Sequence, residues 1–275
     1  MYPATLMIPR PPVTKEHGAW AVLLVPLVVG ASSAERFSFD LVFLAAAALS
    51  FFLGYVPVEA LLRERSGAGQ GAERVRQFRF WAGTYIGAGV LFTIPLLVSG
   101  WWLLLPIGGL AAIALLGTNL LTRVSPKSVG RELIAVAGLT LTGPAAFYVA
   151  TGSLGRPGAT LWLLNFLFFG CGVVYVHMKI RAAGRKRESF SLTERLFLGG
   201  LNLAYHLAVI SIVGVMLALH LTTPMIFVAF VPMTVHAIVG TIRLTSRTRF
   251  KRLGLALLAQ AGLFALFLVA AEQLR

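Results

Sequence analysis

His177-MKIRAAGRKRESFSLTE-Arg195 holds the largest group of basic residues in the chain. It carries Lys179, Arg181, Arg185, Lys186, Arg187 and Arg195, and it lies between two apolar runs, 159–178 and 196–218. Four more segments have the same character: 1–19, 62–79, 122–131 and 243–252. The five together hold 21 of the 24 Lys and Arg residues, leaving only Arg36, Arg156 and Arg275 elsewhere. Basic segments alternate with short, nearly uncharged connections at Glu35–Ser38, Gly100, Gly152–Gly158 and His220–Thr222. That alternation is the positive-inside signature of a polytopic membrane protein. It sets the N-terminus in the cytoplasm and the C-terminus outside.

Composition agrees. In 275 residues, 57% are hydrophobic and only 12% charged, too apolar for an ordinary soluble domain. The net charge of +14 does not mark a nucleic-acid binder, because the cations sit at the ends of apolar runs rather than on one soluble face. Anionic lipid headgroups of the cytoplasmic leaflet are the partner such a distribution fits. The lone Cys171 lies in an apolar run, where it reads as a small packing residue.

Runs of about 20 apolar residues match the thickness of a bilayer core. They fall at 18–34, 39–62, 80–99, 101–121, 132–151, 159–178, 196–218, 223–242 and 253–271. The expected fold is therefore an all-α bundle of nine transmembrane helices forming a single domain over 1–275. Pro26, Pro57, Pro95, Pro106, Pro144 and Pro232 interrupt these runs, and proline is tolerated in membrane helices. Gly83, Gly87, Gly108, Gly109, Gly170, Gly172, Gly199 and Gly200 are expected at close helix packing. Arg10, Lys15, the apolar stretch from Trp20 and the small residues 31–34 resemble a signal peptide. The first helix is nevertheless expected to stay as an anchor.

Polar groups inside such helices are expensive and are therefore the candidates for function. They are Glu59, Asn119, Glu132, Asn165, His177, Asn202, His206 and His236. Glu59 precedes Arg63 by four residues, Asn119 precedes Arg123, His177 precedes Arg181, and Asn202 precedes His206. Four residues is one helix face. The pattern fits either end-anchoring ion pairs or a polar cavity opening to the cytoplasm. In Lys15-Glu16-His17-Gly18-Ala19-Trp20 an acid beside a histidine tunes the imidazole toward its charged form. The chain shows no Cys-x-x-Cys-His, P-loop, nucleotide fingerprint or nucleophile elbow, and no histidine lies four residues from another. No metal, haem or other cofactor is expected.

The Lys15–Trp20 motif, the hydrophobic helices and the Arg/Lys-rich loop near residue 185 resemble the YwiC-like family of bacterial integral membrane proteins. The architecture is also similar to the UbiA superfamily of intramembrane prenyltransferases. That second resemblance implies nine helices, an internal N-terminus, and active-site loops after the second and sixth helices, here 62–79 and 179–195. UbiA-type enzymes carry Asp-rich motifs in both places to hold Mg²⁺, whereas this chain has no aspartate in either and Asp40 is its only one. Glu59, Glu64 and Glu73 do not replace paired aspartates, so Mg²⁺-dependent prenyl transfer of that type is not expected.

The functional expectation is binding or processing of a hydrophobic, isoprenoid or lipid-like substrate with a polar or anionic head in a cytoplasm-facing cavity. His17, Glu59 and His177 are the acid/base candidates. Arg63, Asn119, Lys127, Arg131, Lys179, Arg181, Asn202, His206 and His236 are the candidates for holding the substrate. The rivals are a small-anion transporter, with His206 relaying protons near the midplane, and an accessory membrane subunit without a substrate.

Overall fold

The computed structural model describes residues 11–12, 17–35, 38–64, 71–124, 128–185 and 189–273. The described residues form ten α-helices: α1 (His17–Ala31), α2 (Phe39–Glu64), α3 (Ala72–Val98), α4 (Leu104–Val124), α5 (Val129–Leu139), α6 (Thr142–Thr151), α7 (Gly155–Ala183), α8 (Leu192–Ala218), α9 (Pro224–Ile242) and α10 (Phe250–Gln273). The protein is an all-helical, multi-pass membrane protein. Among the described residues seven spans are long and apolar enough to cross a bilayer, one of them Val129–Thr151, and Gly18–Ala31 and Leu104–Thr118 are shorter apolar helices. These correspond to the nine runs read from the sequence. There are ten helices rather than nine because the fifth run is broken at Thr140–Leu141.

The chain divides into two compact units, one containing Val42–Trp102 and the other His17–Leu41 with Leu103–Arg275. In the first, α2 and α3 form an antiparallel pair. Phe51 lies 2.7 Å from where a Cβ of Gly89 would stand, and Tyr85 lies 3.3 Å from that of Gly54. Both glycines mark close approach of the pair.

The second unit is built on α7, whose buried residues run from Gly158 to Ala182. Phe168 of α7 stacks on Phe264 of α10 with centroids 4.0 Å apart, and Phe230 of α9 meets Phe264 edge-on at 5.4 Å. One aromatic cluster thus ties three helices. Local signals explain the ends. Ser191 and Glu194 make a capping box at the start of α8, satisfying two orphan donors there. Ser128 caps α5, its hydroxyl accepting from the Arg131 N–H. Gly152 adopts φ 78° to close α6, a conformation that favours glycine.

Hydrogen bonds from side chains hold the break between α5 and α6. The Thr140 hydroxyl donates to Val136 O at 2.8 Å, and the Thr142 hydroxyl lies 3.0 Å from Leu139 O and 2.9 Å from Leu23 O of α1. The Trp162 indole N–H, from α7, donates to Ala137 O at 3.1 Å. Irregular backbone at membrane depth survives only where protein supplies such partners. Packed on this break, α1 lies so close to α6 that a side chain at Gly30 would collide with Gly143 O, while Pro26 sits 3.2 Å from the Cβ position of Gly143.

Candidate functional site

The basic ends of the second unit gather at one place. Ser189, after α7, pairs with Thr245, after α9, in an isolated antiparallel bridge. Arg195 of α8 donates to Phe190 O and, across to α9, to Ile242 O. Two of the basic loops, those after α7 and after α9, thus lie together within this unit.

Three cations proposed or available for substrate already hold carbonyls. Lys179 Nζ donates to Gly240 O at 2.9 Å, Arg181 donates to Leu198 O at 3.4 Å, and Arg195 reaches Ile242 O. Lys179 and Arg195, from two different helices, therefore neutralise the C-terminal end of α9, where the helix dipole is negative. Arg185, Arg243, Arg249, Lys251 and Arg252 are exposed around this end.

His177 is buried at 8% exposure and faces α5. Its Nδ1 lies 3.5 Å from Glu132 Oε2 and 3.1 Å from Val173 O. A carboxylate beside an imidazole has the chemistry of an acid/base pair. Arg181, four residues on, does not join it. Lys179 also points elsewhere, since two residues on a helix are separated by roughly 200°, and it lies 5.4 Å above the ring of Tyr175. The Tyr175 ring meets the His236 ring at 4.9 Å, and the Gln260 amide N–H donates to His236 Nδ1 at 2.6 Å. So α7 presents two separate polar groups: His177–Glu132 toward α5, and Tyr175–Lys179–His236 toward α9 and α10.

A third polar group is fully enclosed. Asn202 is 0% exposed and His206 2%. Asn202 Nδ2 donates to Thr241 Oγ1 at 3.1 Å, and His206 Nδ1 lies 2.8 Å from Asn202 O. A carbonyl can only accept, so the His206 proton sits on Nδ1 and Nε2 is a bare acceptor. Asn202 Oδ1 and His206 Nε2 are buried without a hydrogen-bond partner. Asn165, also 0% exposed, is held by Leu161 O at 2.9 Å.

In the first unit Glu59 and Arg63 form an ion pair at 2.7 Å, the end-anchoring version of the four-residue pattern. Glu64, Gly71, Ala72, Val75, Arg76 and Arg79 line an open recess between α2 and α3. Lys127 lies outside the described residues, as do the side chains of His17 and Asn119. The residues that sequence reasoning passed over are Tyr175, Thr241 and Gln260. Gln260 is the only amide between 253 and 271 and could have been found by that rarity. Tyr175 and Thr241 carry no such signal.

Residues 13–147 match the family model of the YwiC-like protein. Over that segment, just under half of its length, the chain is similar to the YwiC-like family. No curated protein and no solved structure matches it. The YwiC-like segment takes in the Lys15–Trp20 motif, the Glu59–Arg63 pair, Glu132 and the broken α5–α6 span. It ends within α6, so the polar groups of α7–α10 lie beyond it, and His177–Glu132, like Trp162–Ala137, joins the two regions.

Proposed function

We propose that this protein binds, and at His177–Glu132 processes, a hydrophobic substrate with an anionic head at the cytoplasmic ends of α7–α10. The observation that carries the reading is the imbalance of charge there. The segments 177–195 and 243–252 contain only Glu188 and Glu194 as acids, and Glu194 is taken by the cap of α8. Exposed apolar residues such as Leu192, Phe197 and Phe250 stand among these cations. Cations beside apolar surface at a membrane boundary suit an amphiphile whose head carries charge. The protein resides, in this reading, in a bacterial inner membrane. Mass spectrometry of lipid extracted from gently purified protein tests it: an anionic isoprenoid or lipid enriched over the surrounding membrane is expected, and a bulk-lipid profile would sink it.

Transport of a small anion is the second reading, favoured by one observation. Asn202 and His206 leave unpartnered acceptors inside the membrane bundle, a pattern associated with solute and proton pathways. Anion uptake into vesicles reconstituted with the protein, lost in Asn202→Leu, would favour it over the first.

A further inference from the structure

The position of Lys179 is the starting point. A lysine at the end of a membrane helix ordinarily turns its ammonium outward to the headgroups. Lys179 turns inward instead, donating to Gly240 O of α9 and lying over Tyr175, which is 2% exposed. Its helix and α9 contain no acidic residue, and the only acid of α10, Glu272, stands at that helix's other end. Among the described residues no carboxylate pairs with Lys179. An ammonium drawn between apolar helices without a counter-ion is costly, so an anion there would be favoured.

The neighbours supply donors rather than acceptors. The ammonium has three N–H groups, of which Gly240 O takes one and the Tyr175 face engages another. With the Gln260 amide N–H on His236 Nδ1, the imidazole proton sits on Nε2 and is directed away from Gln260. Both side chains touch the same tyrosine ring, from 5.4 and 4.9 Å. Position 240 is a glycine because the Tyr175 hydroxyl occupies the place of its Cβ. Lys179 and His236 are only half-buried, so a ligand can reach them. The same stretch of α9 exposes Val235 and Val239, surface for an apolar tail.

We propose that Lys179, Tyr175 and His236 form a binding site, between α7, α9 and α10, for the oxyanion head of an amphipathic ligand, a phosphate monoester or a carboxylate. The site rests on the reading given under Proposed function and names where the head is held. Gln260 is a positioning residue that fixes the His236 proton.

Native mass spectrometry of the full chain, in mild detergent, tests the site with phosphatidic acid, oleate, phosphatidylcholine and inorganic phosphate as probes. The protein is expected to retain phosphatidic acid or oleate over phosphatidylcholine, and which of the two is preferred separates phosphate from carboxylate. Lys179→Met and His236→Phe should each lower retention about tenfold, Lys179→Arg should keep most of it, and Arg156→Ala, at the opposite end of α7, should not change it. Lys179→Met also removes a clamp on α9, whereas His236→Phe leaves that clamp intact, so unliganded melting temperatures distinguish lost binding from lost structure. Undiminished retention in both variants, with the parent still retaining an anionic amphiphile, would overturn this site alone. Retention of neither anionic amphiphile by the parent would overturn the underlying reading as well. Displacement of the amphiphile by an equal concentration of inorganic phosphate would refute the amphipathic part.

Discussion

Thr241 shows how one side chain organises a buried polar group. Its hydroxyl donates to Ala237 O at 2.8 Å and accepts from Asn202 Nδ2 at 3.1 Å. Thr241→Val keeps the shape and removes that acceptor, leaving a buried amide N–H unpaired, which costs about 1–3 kcal/mol. A lower melting temperature is expected, and an unchanged one would show that Asn202 finds another partner. Asn202→Leu should be close to neutral, because it removes both ends of the problem, the donor and the unpartnered Oδ1. The glycines make a second contrast. A side chain at Gly199 would strike Thr241, and one at Gly170 would strike the Tyr205 hydroxyl, whereas Gly108, Gly109, Gly172 and Gly200 meet nothing within 4 Å. Gly199→Ala should therefore destabilise by about 1–3 kcal/mol, while Gly200→Ala should be neutral or stabilise by up to about 1 kcal/mol, both read by thermal melting. The sequence showed that these glycines lie in membrane helices. It did not show which two meet a neighbour, since that depends on how each helix is rotated.

Among the elements, the α5–α6 break is the one that the hydropathy pattern hides. Residues 132–151 read as a single apolar run, and Gly143-Pro144 is no more disruptive on paper than Pro57 or Pro95, which sit inside α2 and α3. What differs is the set of partners: the Thr140 and Thr142 hydroxyls, the Trp162 indole and the close face of α1. None of these is legible locally, because Leu23 and Thr142 are 119 residues apart. Thr142→Val removes the single hydroxyl donor shared between Leu23 O and Leu139 O, and Trp162→Phe removes the hydrogen bond to Ala137 O. Each should lower stability by about 1–3 kcal/mol. Hydrogen exchange in the Thr142 variant should rise around 138–145 and at the facing part of α1. Uniform exchange along the span would mean that the break is not held by these bonds. The candidate site was legible to a comparable degree. His177, Lys179 and His236 were marked by their cost in a membrane, yet the rotation of α7 that sends His177 to Glu132 and Lys179 to Tyr175 was not.

For the whole molecule, the orientation expected from charge requires alternate helix ends to share one side, and in the second unit two such ends meet. The Ser189–Thr245 bridge and the Arg195–Ile242 contact bring together two loops that alternation places on one side. His177 at the end of α7 meets Glu132 at the start of α5, so the entrance to that span lies at the same end. The opposite connections, around Ser153 and His220, carry no cation except Arg156. Lys and Arg near span ends hold their loops on the cytoplasmic side during insertion, so these two sets of loops should face opposite compartments. Cys171 is buried at 1% exposure, and a Cys171→Ala background permits single-cysteine labelling. Ser153→Cys should react with a membrane-impermeant maleimide added to intact cells. Arg249→Cys should react only after the membrane is opened, and a reporter fused after Arg275 should be found outside. Labelling of Arg249→Cys in intact cells would reverse the orientation. It would also move the basic ends of α7–α10, and the anionic head proposed to bind there, to the outer face of the membrane.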